Sequence, residues 1–216
     1  MNKLIFICLF LFYGLISYSQ AKDTIRAKSF ADSAWKAYQK YYFRKSIKLL
    51  DSAISYDPTN SFSYHLKAEA QWFLCDYADA AETYKRMISL DNGNLLKVSA
   101  YVFLGMLYGK AGMPVQATAQ YVSAVKLWEG GYVPHKQFKT VEELDYFLAL
   151  AFLEEKTKAM KIISERNLDS LTYPRRHELE RLHERCLLLF DKTPKELLEE
   201  SFKEYMLSGD IKPLEE

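Results

Sequence analysis

Two short stretches carry residue types at spacings that chemistry uses. Gly105-Met-Leu-Tyr-Gly109-Lys110 sets two glycines before a lysine, as a phosphate-cradling loop does. It is one residue short of that loop, lacks the following Ser or Thr and has no strand pattern before it, so its glycines read as points of close helix packing. Glu180-Arg-Leu-His183 has the Glu-x-x-His spacing of di-iron helix bundles, which need two such pairs and two further carboxylates. One copy exists, and His177 stands six positions from His183, off its helical face, which leaves a solvated charged helix. No Gly-x-Ser-x-Gly elbow, Cys-x-x-Cys pair or His-Glu-x-x-His helix occurs. A non-catalytic protein is expected, with no metal and no cofactor.

The apolar residues say how the chain is built. Ser61 to Asn94 spans 34 residues and, counted from Ser61, places Tyr64 at position 4, Ala68 at 8, Tyr77 at 17, Ala80 at 20, Tyr84 at 24 and Met87 at 27. Counted from Ala27, the preceding stretch repeats the pattern with Phe30, Ala34, Phe43, Ser46, Leu50 and Ala53, and Asp57-Pro58 closes it. A third frame opens at Val98 after a three-residue insertion: Tyr101, Leu104-Gly105, Tyr108, Gly112, Ala117, Tyr121 and Ala124 fall at 4, 7–8, 11, 15, 20, 24 and 27. Each frame reads as two helices around a turn, with small residues at 8 and 20 where the helices approach. Cys75-Asp76 and Gly112-Met-Pro114 supply turns.

This pattern resembles the tetratricopeptide repeat family, with Leu104-Gly-Met-Leu-Tyr108 matching its Leu-Gly-x-x-Tyr core. The resemblance is clear from Ala27 to about Trp128 and looser to about Gly209. It implies an all-α solenoid of stacked antiparallel helix pairs, over 27–209 as a whole: repeats at 27–60, 61–94 and 98–131, a degenerate one at 140–173, and C-terminal capping helices at 174–209. Residues 20–26 form a short lead-in and 210–216 a tail. Glu129-Gly-Gly-Tyr-Val-Pro-His135 is expected to be a loop, Thr140-Val-Glu-Glu143 and Thr193-Pro-Lys-Glu196 have capping-box spacing, and the last helix carries Leu197, Leu198, Phe202 and Met206 on an amphipathic face.

The family lines a concave groove from positions near 2, 5, 9, 12 and 13, and uses it to hold a peptide or helix of another protein. Carried over, those positions are Trp35, Tyr38, Phe62, His65, Glu69, Trp72, Phe73, Val102, Met106 and Lys110. Aromatic and Met side chains of this kind are what binding hot spots favour. A groove filled by the chain's own N-terminal segment or last helix is the alternative, which would make the protein a structural subunit docking by its convex face or C-terminal helices.

Ahead of the repeats, Met1-Asn-Lys3 is a short basic start and Leu4 to Ile16 an apolar run of about thirteen residues, short for a bilayer span. Ser17 and Ser19 then suit a cleavage site before Gln20, so residues 1–19 read as a secretory signal peptide. An uncleaved anchor is the open alternative; lipid attachment is not, since Ile5-Phe-Ile7 before Cys8 is no small-residue box. Lys and Arg number 29 against 28 Asp and Glu, one of the lysines within the leader, so charge gives no reason to expect nucleic acid or an anionic membrane surface. Cys75 and Cys186 fall in different helix pairs and are expected to be unpaired. An exported chain without disulfides suits a bacterial periplasm, with another envelope protein as the partner.

Overall fold

The structure is a computed structural model that describes residues 23–90, 96–132, 140–165 and 175–207. The expected leader and tail lie outside the described residues. Ten α-helices follow one another among those residues: α1 over 23–39, α2 Phe43–Tyr56, α3 Ser61–Phe73, α4 Tyr77–Ser89, α5 Leu96–Lys110, α6 Pro114–Leu127, α7 Thr140–Phe152, α8 Lys156–Ser164, α9 Arg175–Leu189 and α10 Pro194–Leu207. The described residues divide into two compact units, one within 23–76 and one within 77–207. Short-linked helices, with no strand among the described residues, give the chain an all-α architecture of the tetratricopeptide-like class.

One turn, used four times, sets this architecture. Tyr41, Cys75, Gly112 and Glu154 have φ of 63°, 62°, 72° and 59°, and each is position 15 of its frame counted from Ala27, Ser61, Val98 and Thr140. At each turn the N–H of position 15 donates to the carbonyl of position 12, at 2.8, 2.9, 3.0 and 3.0 Å in chain order. The next N–H, from Tyr42, Asp76, Met113 or Glu155, donates to the carbonyl of position 11 at 3.0, 2.9, 2.9 and 2.9 Å. A left-handed residue just past the helix satisfies carbonyls that have no partner within it. Only Gly112 takes that conformation without a Cβ; the other three accept a cost of roughly 1–2 kcal/mol each, the handedness penalty of an L-residue. The recurrence at Glu154 makes 140–165 a fourth hairpin, although few of its side chains keep the pattern.

Small residues let the paired helices meet. At position 20, Ser46, Ala80, Ala117 and Ala159 are all buried, and Ser46 Oγ donates to the carbonyl of Ala34, the position 8 residue of its own frame, at 3.0 Å. At position 8 of the third frame, a Cβ on Gly105 would stand 2.5 Å from the Tyr121 ring. The two glycines of the phosphate-loop-like stretch thus lie inside α5 as packing residues, the second against Leu198. In the first unit Ala34, Leu50 and Leu66 form the core, with Tyr38 and Leu49 against it. In the second, α5 is enclosed by α4, α6, α7 and α10, and α9 lies on α7.

Two expectations need correction. Of the loop expected over Glu129–His135, 133–135 lie outside the described residues, and residues 129–132 instead continue the helix as a wide π turn, Trp128–Tyr132. Packing holds it: Trp128 stacks on Tyr146 at 5.2 Å, and Glu129 accepts from the Tyr146 hydroxyl at 2.9 Å and pairs with Lys158. Burial, with that carboxylate beside it, keeps the Tyr146 hydroxyl protonated well above the usual tyrosine range. Second, α9 and α10 do more than cap the last repeat, because α10 turns back onto α5 and α7. Its start follows the sequence: Thr193 N–H and Oγ1 donate to Glu196 Oε2 at 2.8 Å, and Glu196 N–H donates to Thr193 Oγ1 at 3.3 Å.

Candidate functional site

In the first unit, one helical turn puts Trp35 beside Tyr38 on α1, and α3 presents Phe62, His65, Glu69 and Phe73. These six side chains come together. Trp35 stacks on Tyr38 at 5.7 Å and tilts against Phe62 at 6.2 Å; Tyr38 meets the edge of Phe73 at 6.0 Å. Phe43, from the start of α2, lies flat on Phe73 at 4.8 Å and edge-on to Tyr38 at 5.4 Å. The Glu69 carboxylate ties the polar side, accepting from the Tyr38 hydroxyl at 3.4 Å and lying 3.4 Å from His65 Nε2. Trp35 and Phe62 keep 41% and 40% of their surface exposed. The result is an aromatic shelf with a carboxylate at its edge, carried by α1, α3 and the start of α2. Such a surface buries large area on a partner at low entropic cost and can satisfy one cation or N–H donor.

The remaining implied positions sit elsewhere. Trp72, Val102 and Met106 are buried, at 3%, 0% and 1% exposure, and so differ from the open lining that the family resemblance implies. For Val102 and Met106 the reason is the enclosure of α5 on several sides. Lys110 is at the surface but is taken up within the second unit: its Nζ lies 4.8 Å from the Tyr77 ring centre and 4.0 Å from that of Phe202 on α10. The rings meet edge to face at 5.5 Å, so the ammonium sits against both faces of an aromatic corner. Phe43 and Phe202 were not among the groove residues. Phe43 was legible as the position 17 aromatic; the seat of Phe202 was not.

Glu180 and His183 diverge: Glu180 pairs with Arg176 at 2.9 Å on the exposed side of α9, whereas His183 is buried. No group of three or more His, Cys, Asp or Glu that could hold a metal ion occurs among the described residues. Cys75 is exposed in its turn and Cys186 is buried. Among the described residues no helix is long and apolar enough to cross a membrane.

No family model matches the chain. No curated protein matches it either. Among solved structures, the crystal structure of MamA is similar, with a TM-score of 0.45 and 16% sequence identity over 76% of this chain and 78% of that one. The four shared turns and the burial at positions 8, 20 and 24 carry the fold assignment independently of that likeness.

Proposed function

We propose that this protein is an exported, non-catalytic interaction module, a scaffold, adaptor or assembly factor of the cell envelope, which holds a peptide or helix of another envelope protein on its first helices. The observation that supports the reading is the shelf of Trp35, Tyr38, Phe62 and Phe73, contiguous and half open on a buried base. A tryptophan and a phenylalanine left side by side and partly open to solvent are a feature that partner surfaces share. Export rests on the leader, Met1 to Ser19, and the envelope location on the leader together with the absence of a cysteine framework.

A second reading has its own observation. The face of α5 and α7 in the second unit is covered by α10, as expected of a structural subunit whose groove is filled by its own chain. The two readings separate in one experiment. The chain from Gln20 onward is immobilised and exposed to envelope extract, beside a variant with Trp35→Ala and Glu69→Lys whose helicity matches by circular dichroism. The interaction module retains an envelope protein that the variant loses. The same proteins on both columns would sink the shelf as the binding site and move attention to α9 and α10.

A further inference from the structure

The aromatic shelf of the first unit carries one carboxylate, and its charge is left unmatched. Glu69 makes two polar contacts among the described residues, with the Tyr38 hydroxyl and with His65 Nε2, each at 3.4 Å. Charge-assisted hydrogen bonds close to about 2.7–2.9 Å, so neither contact holds the carboxylate firmly. A carboxylate offers about four acceptor positions and Glu69 engages two, with 26% of its side chain open. No lysine or arginine pairs with it among the described residues. Asp51 in the same unit differs: it holds Lys67 at 2.6 Å, so that lysine is already taken.

The rings beside Glu69 decide what kind of cation fits. Trp35 and Phe62 stand 6.2 Å apart, tilted at 59°, and both are partly open. Trp35 lies nearly parallel to Tyr38, at 12°, and the Tyr38 hydroxyl donates to Glu69 Oε2. A side chain that crosses the Trp35–Tyr38 stack therefore reaches the carboxylate past ring faces, which carry negative charge density of their own. An ammonium is a compact, strongly hydrated charge that meets a ring or a carboxylate as a point. A guanidinium is flat and more weakly hydrated, and it can lie on a ring while turning its N–H fork to a carboxylate. Its methylene stem covers apolar surface on the way. An acidic segment meets the opposite, repulsion from Glu69 and from the ring faces.

We propose that the partner presents an arginine flanked by apolar residues: the guanidinium stacks on the Trp35–Tyr38 rings and pairs with Glu69, and an apolar neighbour covers Phe62. The inference rests on the reading of the protein as an interaction module, and it names the chemistry of the segment that the shelf holds. Exposed ring area supplies most of the affinity, and charge complementarity selects the arginine. Trp35 and Phe62 are the anchors, and Glu69 is the residue that sets specificity.

The test titrates the chain from Gln20 onward with three labelled peptides, Gly-Ser-Leu-X-Leu-Ser-Gly, in which X is arginine, its neutral isostere citrulline, or lysine. Fluorescence anisotropy follows binding at about pH 8, above the ordinary histidine range. The arginine peptide binds about fivefold more tightly than the citrulline peptide, the scale of one partly exposed ion pair, and the lysine peptide falls between them. On a Glu69→Gln variant the advantage of arginine over citrulline shrinks to about twofold or less, as a double-mutant cycle requires of a direct pair. Asp51→Asn removes the same charge from the same unit and leaves the advantage intact, which separates pairing at the shelf from general attraction to an acidic surface. If Glu69→Gln loses helicity by circular dichroism, the Trp35 indole resonance of the native chain decides: the arginine peptide shifts it more than the citrulline peptide does at equal concentration. Equal shifts overturn the proposal. So do equal binding of the arginine and citrulline peptides, a lysine peptide that binds as well as the arginine one, and an advantage that survives Glu69→Gln. No binding of any of the three below about 1 mM overturns it as well. In each of these cases the envelope capture can still succeed through Trp35, so failure here is distinct from failure of the interaction module.

Discussion

The same two repeat positions are finished in opposite ways in the two units. Where position 17 of one frame meets position 13 of the next, the first unit stacks Phe43 on Phe73 and leaves Trp35 and Phe62 beside them in solvent. In the second unit the equivalent pair is Tyr77 and Lys110, and Phe202 closes over it. Position 12 beside that pair differs too: it is Trp72, 3% exposed, in the first unit and Gly109, which leaves a gap for Leu198, in the second. A repeat fixes where a site is and leaves its occupancy to two or three side chains. The glycine at position 12 of the third frame builds a slot that Leu198 of α10 enters.

The sharpest way to break the comparison is to remove the closing ring. Phe202→Ala takes about 3 kcal/mol from the docking of α10, the scale of a buried phenylalanine truncation. Amide exchange in 194–207 reports it as local opening, with α5–α7 still protected. Unfolding of the whole second unit instead would make α10 part of the core and end its likeness to a ligand.

The close approach inside α5 comes next. Gly105→Ala drives a Cβ to 2.5 Å from the Tyr121 ring and lowers stability by about 2 kcal/mol through overpacking, measured by urea titration. A neutral outcome would mean that the α5–α6 pair can part freely, unlike a packed repeat. Gly112→Ala is the control for backbone alone, since nothing lies within 4 Å of its Cβ; at φ 72° it costs about 1 kcal/mol. Cys75→Gly, at the same turn position, raises stability by a similar amount.

Trp35→Ala stands at the other end of the comparison. Being 41% exposed, Trp35 contributes to stability by only about 0.5 kcal/mol, so its loss weakens partner capture and leaves the melting curve almost unmoved. A large fall in stability would make the shelf structural. The smallest effect is on the cap of α10. Hydrogen bonds from the Thr193 backbone and hydroxyl hold the Glu196 carboxyl below its usual range. A carboxyl depressed in the folded state stabilises above its unfolded-state value and loses that contribution as pH falls through the folded one. The protection of amides in 194–207, taken relative to their intrinsic exchange rate at each pH, therefore falls as the medium is acidified below the ordinary carboxylate range, and Glu196→Gln removes most of that dependence.

Much of this was legible before any coordinates, and for a local reason. Each hairpin turn meets the same surroundings, so small residues at position 20 and a left-handed turn at 15 recur in the frames opened at Ala27, Ser61, Val98 and Thr140, with small residues at 8 in the first three. The capping box at Thr193 and the packing of Gly105 against Tyr121 of its own frame were local in the same sense, whereas the partner of Gly109 is Leu198 on α10. What the tertiary structure decided depends on partners distant in sequence. Burial of Val102 and Met106 follows from the enclosure of α5, the π turn at Trp128 from stacking on Tyr146, and the covering of Lys110 from a helix more than eighty residues further on. Periodicity records what neighbouring repeats do to one another; it holds no trace of a helix that folds back.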